Sequence, residues 1–114
     1  MSEIKLERGS YSDNCPIELA INIIGSKWTS LIIRDLLIDK TVRFGDFLKS
    51  LEGISPKTLS LRLKELEKKE IVTRTVYPEI PPHVEYSLTC KGKALEPIFL
   101  ELKKWGMLIK DSKK

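Results

Sequence analysis

A mainly helical fold with one small β-hairpin is what this chain predicts, and three observations predict it. The segment from Phe44 to Lys69 reads as two short amphipathic helices joined by a very tight turn. Directly after it, residues 71–77 and 84–88 are rich in β-branched and aromatic types, with Pro78, Pro81 and Pro82 between them. Further on, Leu95, Ile98, Leu102, Trp105 and Ile109 recur at spacings of 3, 4, 3 and 4, a heptad-like stripe. Two pinned helices followed at once by a hairpin make a winged helix-turn-helix, an α+β fold whose second motif helix can enter the major groove of DNA.

At 114 residues the chain has room for one domain with a modest core. A formal net charge of +4 and a pI near 9.1 favour a polyanionic partner, though charge alone decides little. Two cysteines, Cys15 and Cys90, are too few for a disulfide scaffold and fit a reducing compartment. The apolar runs Leu31-Ile32-Ile33 and Leu36-Leu37-Ile38 are separated by Arg34 and Asp35, so no bilayer span is expected. The polar, acid-bearing start MSEIKLERGSYSDN resembles neither a secretory signal nor a transit peptide. The expectation is a soluble, cytoplasmic protein.

Residues 1–14 read as a flexible arm, because Gly9, Ser10, Ser12, Asp13 and Asn14 favour irregular backbone. The folded domain is expected over residues 15–110. Its first helix starts at Pro16, carries Ile17, Ala20, Ile21 and Ile24 on one side, and ends at Gly25-Ser26. Trp28, Leu31, Ile32, Asp35 and Leu36 mark a second helix, closed by Asp39-Lys40-Thr41. In the motif itself, Phe44, Phe47, Leu48 and Leu51 share a face until Glu52-Gly53-Ile54 breaks the pattern. Ser55 can accept a hydrogen bond from the first turn of the next helix, and Pro56 sits where its missing N–H costs nothing. The wing is expected over about residues 72–88. Thr89 can cap a last helix over about residues 90–110.

At 100° per residue, Leu59, Leu63 and Leu66 fall in one narrow arc that must face the core. The opposite side carries Lys57, Ser60, Leu61, Lys64 and Lys68, with Thr58 and Glu65 at its edge. Leu61 is the anomaly, since a solvated face would hold a polar residue there. A leucine in that place can touch a thymine methyl, while Lys57 and Lys64 reach guanine edges or phosphates and Ser60 bonds to either. The plainer alternative is a solvated lysine-rich helix with one stray leucine, and the wing behind it favours DNA. Ser55, Lys57, Thr58, Ser60, Leu61 and Lys64 are therefore the candidate DNA contacts of this helix.

Arg43 precedes the first motif helix, which crosses the phosphate backbone in this geometry; it is either a phosphate clamp or half of an exposed salt bridge. His83 in the wing loop is a candidate phosphate or minor-groove contact, or simply a surface histidine. It lacks metal-ligand spacing with either cysteine. Cys15 falls at a helix start, where free N–H groups and the positive dipole end raise thiol reactivity. The choice there is between a regulatory thiol and a small buried hydrophobe, and chemistry alone favours burial. The same choice applies more weakly to Cys90.

Cys15-Pro16-Ile17 followed by Ile24-Gly25-Ser26-Lys27-Trp28 resembles the opening signature of the HxlR family of bacterial and archaeal winged helix regulators. Residues 54–66, ISPKTLSLRLKEL, resemble that family's recognition helix, and residues 77–89, YPEIPPHVEYSLT, its wing and the strand behind it. Gly92, Leu95 and Trp105-Gly106 fit its last helix. His83 stands where an arginine is common in the family, and Cys90 is unusual at its position. The resemblance implies a homodimeric transcription regulator whose terminal segments build the dimer interface, here through Leu95, Ile98, Leu102, Trp105 and Ile109. It also implies that the cysteine matching Cys15 senses electrophiles, oxidants or aldehydes in some members and has no known sensing role in others.

The expected function is therefore sequence-specific binding of double-stranded DNA by a homodimer, at a pseudo-palindromic operator, with Cys15 as a possible sensor thiol. A winged helix used as a protein-interaction module is the alternative; it would more often show an apolar or acidic patch where Lys57, Leu61 and Lys64 stand. No paired-carboxylate motif, metal cluster, Gly-rich phosphate loop or triad is present in the sequence, so neither an enzyme nor a cofactor is expected. No large ligand pocket is expected in so short a chain, and no effector is named by it.

Overall fold

The computed structural model of the chain describes residues 4–7 and 15–112, so most of the arm expected over residues 1–14 lies outside the described residues. In chain order the elements are α1 (Pro16–Ile24), α2 (Lys27–Asp39), β1 (Thr41–Arg43), α3 (Phe44–Ser50), α4 (Pro56–Lys68), β2 (Val72–Tyr77), β3 (His83–Leu88), α5 (Cys90–Lys93) and α6 (Glu96–Ser112). Ser26 caps α2 by accepting from the Thr29 N–H, and Ser55 caps α4 in the same way from the Thr58 N–H at 3.1 Å. Between α3 and α4 the chain turns at Leu51–Ile54, closed by the Ile54 N–H donating to the Leu51 carbonyl. Gly53 holds φ at +92° in that turn, a conformation that costs any residue with a Cβ.

Helix α4 ends without the glycine such ends usually have. The Ile71 N–H donates to the Leu66 carbonyl and the Glu70 N–H to the Glu67 carbonyl, with Glu70 itself at φ +61°. That is the bonding of a Schellman motif with a glutamate in the left-handed position. The buried Ile71 then starts the turn into the hairpin.

The sheet has the order β1-β3-β2, all antiparallel. β2 and β3 pair from Val72 opposite Leu88 to Tyr77 opposite His83, and β1 pairs Val42 with Tyr86. β1 corrects the sequence reading, which ended a helix at Thr41 and placed no strand there. One core joins the elements: Ile32, Ile33 and Leu36 of α2, Phe47 of α3, Leu59, Leu63 and Leu66 of α4, and Val42, Val72, Tyr86 and Leu88 of the sheet. The Phe47 and Tyr86 rings meet edge to face with centroids 6.2 Å apart. Asp35 is buried on the same side of α2. Its carboxylate accepts from Arg34 Nη2 at 2.9 Å and from the Ser50 hydroxyl at 2.6 Å, tying α2 to the end of α3.

The last helix is not continuous from Cys90. Thr89 does cap at this point, accepting from the Gly92 N–H, but it caps the four-residue α5. Ala94-Leu95 turn the chain before α6 begins at Glu96 with Pro97 in its first turn. Pro97 explains the break, because its ring has no N–H to donate to the Lys93 carbonyl and would clash with it in a continuous helix. Gly92 lets α5 press onto the sheet, since a Cβ there would lie 2.5 Å from the Ile71 carbonyl oxygen and 2.8 Å from Leu88 Cδ2. Leu95 and Phe99 fold back, half-buried, against the core. The rest of α6 projects from it, with no fully buried residue along its 17-residue length.

Candidate nucleic-acid interface

The two faces of α4 separate cleanly. Leu59, Leu63 and Leu66 are buried, whereas Lys57, Leu61, Lys64 and Lys68 are exposed. Leu61 is 51% accessible, an apolar side chain standing among cations on the outer face. Thr58 and Ser60 are half-buried at the flanks, and the Thr58 hydroxyl accepts from Ser55 Oγ at 3.0 Å. Ser55 is thus committed to the cap, where it fixes the direction of the first turn that presents Lys57. Arg62 is turned to the helix's other flank, where it pairs with Glu65 at 2.8 Å.

Arg43 ends β1 and begins α3. It is exposed, on the sheet face opposite Val42, and its cross-strand neighbour is Glu85. His83 is engaged within the wing: its ring stacks on Tyr77 at 4.5 Å between centroids, Nδ1 lies 3.0 Å from the Glu79 carboxylate, and Nε2 lies 3.6 Å from that of Glu85. Two carboxylates beside one imidazole oppose an approaching phosphate, so the geometry gives this ring a part in holding the wing loop. The wing's basic residue facing α4 is instead Arg74 of β2. It stands with Ser60, Lys64, Glu67 and Tyr86 around an open cleft. The sequence reading counted Arg74 only as part of a strand; the signal that marks it is a cation on the strand face shared by Val72 and Val76.

Cys15 is the N-cap residue of α1 and is half-buried, its side chain making no cap hydrogen bond, while Cys90 is exposed. Around α1 and α6 the surface changes character. Ile17, Leu19 and Ile21 of α1 are exposed, as are Ile98, Leu102, Trp105 and Ile109 of α6 together with Leu100, Met107 and Leu108. Of the expected interface stripe only Leu95 is turned to the chain's own core. Between α2 and α6 lies an open apolar groove of about 500 Å3, walled by Leu31, Leu37, Ile38, Phe99 and Leu100. Among the described residues no helix is long and apolar enough to cross a membrane.

A helix pair with a tight glycine turn, a basic second helix and a three-stranded wing define a winged helix-turn-helix protein. Residues 23–114 match the family described as HxlR-like helix-turn-helix, and the chain belongs to that family. It is 43% identical over 99 residues to the HTH-type transcriptional regulator YdeP of Bacillus subtilis, covering 87% of this chain and 77% of the relative. The redox regulator HypR in its reduced form is similar, with TM-score 0.80 and 42% identity over 86% of this chain and 96% of that one; its oxidised form gives TM-score 0.76. The reduced form of the regulator YodB from B. subtilis matches with TM-score 0.72 and 45% identity, over 81% and 90% of the two chains, and YodB is also solved after diamide treatment. The chain is thus a transcription regulator of the HxlR type.

Proposed function

We propose that the protein binds operator DNA sequence-specifically as a cytoplasmic homodimer, and that Cys15 makes its affinity responsive to oxidants or electrophiles. The observation that carries the DNA reading is the outer face of α4, where Lys57, Leu61 and Lys64 stand exposed around a helix whose other face is locked into the core. Cations at both ends of that face suit phosphates and guanine edges, and the leucine between them suits a thymine methyl. Thr58 and Ser60 flank this surface, and Ser55 caps the helix that presents it. Arg43 at the start of α3 is proposed as a further phosphate contact, whereas His83 serves the wing loop. The exposed stripe on α6, with α1 beside it in sequence character, supports pairing of two chains. A twofold pair sets two recognition helices about 34 Å apart, one turn of duplex.

Footprinting on the DNA upstream of the protein's own gene, and selection of duplexes from a random pool, test the reading. A protected pseudo-palindrome is expected, and retention of no duplex at low salt would sink it. For the thiol, the relatives solved in reduced and oxidised or diamide-treated forms and the N-cap placement of Cys15 support a sensing role. A coupling of only about 1–3 kcal/mol between thiol state and DNA affinity suffices for a switch. The selected duplex is titrated before and after diamide for wild type, Cys15→Ser and Cys90→Ser. Wild type and Cys90→Ser respond and Cys15→Ser does not; a Cys15→Ser protein that still responds removes the thiol from the mechanism.

A further inference from the structure

We propose that Ser60, Lys64 and Arg74 form a phosphate-binding cleft between α4 and the wing, which grips one backbone of the duplex from two elements at once. The proposal rests on the DNA-binding reading and adds to it a subsite and a residue. The cleft has a volume of about 480 Å3 and is lined by Ser60, Lys64 and Glu67 from α4, Arg74 from β2 and Tyr86 from β3. On α4 the spacing of Ser60, Lys64 and Glu67 makes a single row along the flank that looks toward the hairpin, beside the outermost row of Lys57, Leu61 and Lys68. The helix therefore offers two adjoining surfaces.

Arg74 is placed where a cation can meet a ligand. Its cross-strand neighbour is Tyr86, and the same sheet face carries Val72 and Val76 on one strand and Leu88 and Val84 on the other. The face is buried at Val72, Tyr86 and Leu88 and opens toward the wing tip at Val84 and the half-exposed Val76, so Arg74 stands at the edge where packing gives way to solvent. Tyr86 is buried, whereas Arg74 opposite it is exposed and lines the same cleft. Neither Arg74 nor Lys64 pairs with a carboxylate among the described residues, although Glu67 lines the same cleft. Cations elsewhere on the domain are engaged within the fold: Arg62 on Glu65 at the other flank of α4, Lys69 on the Asn22 carbonyl and Lys91 on the Lys69 carbonyl.

Two unspent cations against one acid leave the cleft positive, and a hydroxyl adds a neutral donor. The planar fork of an arginine matches two phosphate oxygens, the lysine supplies a point charge, and Ser60 donates to a third oxygen. Phosphate rather than a base edge is the ligand, because Arg74 reaches the cleft from the sheet behind the helix while Lys57 and Leu61 occupy the outer face.

Phosphate contacts carry no sequence information, and that sets the test. Anisotropy titrations between about 50 and 200 mM salt use a duplex selected by the protein and an unrelated duplex of the same length. Arg74→Ala weakens both duplexes alike, by about tenfold at low salt, and reduces the slope of log affinity against log salt by about one. Arg74→Lys keeps the slope and loses part of the affinity. Glu67→Gln tightens both duplexes severalfold, an outcome that damage to the fold does not produce. If wild type binds while Arg74→Ala and Glu67→Gln titrate as wild type does, the cleft is overturned and the DNA reading stands. If wild type retains no selected duplex, that reading falls first.

Discussion

Helices α4 and α6 are both amphipathic, yet they place their apolar faces in opposite circumstances. In α4 three leucines vanish into the core, and one leucine, Leu61, is left outside among lysines. In α6 nothing is fully buried, and Trp105 remains 64% accessible on a stripe with Ile98, Leu102 and Ile109. Monomers seldom leave so continuous an apolar surface in water. The difference teaches that hydrophobic periodicity alone does not say what a face packs against. α4 spends its periodicity on holding itself in place so that its other side can be presented. α6 is tied to the core only near its start, by Phe99 and by Leu95 just before it, and the remainder stays exposed as the surface proposed to meet a second chain.

The contrast breaks most visibly on truncating one residue of each helix. Leu63→Ala removes a fully buried side chain and should cost about 2–5 kcal/mol of folding stability, read from the denaturant midpoint. Trp105→Ala should leave the far-ultraviolet circular dichroism unchanged and weaken self-association by about 2 kcal/mol or more, roughly 30-fold, in sedimentation. A wild type that sediments as a monomer at micromolar concentration would remove the distinction altogether. Next in size is Leu61→Ala, which should cost about 1 kcal/mol at a thymine-containing step of the selected duplex while the salt slope and the melting temperature stay put. Lys57→Ala should do the converse, flattening the slope by about one with base preference kept. Identical profiles for these two variants would show that the outer face of α4 is not read as supposed. The smallest effect lies at the end of α4, where Glu70→Gly should stabilise the fold by up to about 1 kcal/mol by relieving the left-handed backbone. A destabilised Glu70→Gly would mean that the glutamate's side chain holds this helix end more firmly than its backbone strains it.

The parts of the molecule legible in the sequence are those fixed by neighbours along the chain. Ser55-Pro56 and the leucine spacing mark α4 because cap and periodicity are both local, and the β-branched run marks β2 for the same reason. β1 was not legible: three residues are too few for alternation, and Val42 becomes a strand residue only through Tyr86, far along the chain. The break at Ala94-Leu95 was marked locally by Pro97, but the heptad-like stripe running across it reads as one helix. What the sequence hides there is the close seat of α5, where Gly92 meets the Ile71 carbonyl from far back along the chain. In the candidate site, Lys57, Leu61 and Lys64 could be placed from helical geometry alone. Arg74 and the carboxylates around His83 could not, because their meaning depends on which strand faces which and on how the loop closes.

The short strand before α3 has one more effect. Because Arg43 is at once the last residue of β1 and the N-cap of α3, the first motif helix grows directly out of a strand bonded to β3. The hairpin is thereby riveted to the helix pair by a backbone ladder on one side and by Ile71 and the α4 terminus on the other. The spacing of recognition helix and wing is thus tied through backbone bonds at both ends of the hairpin as well as through the shared core. On the proposed dimeric DNA reading, adaptation to a different operator spacing then falls to how the two chains are set against each other rather than to either chain alone.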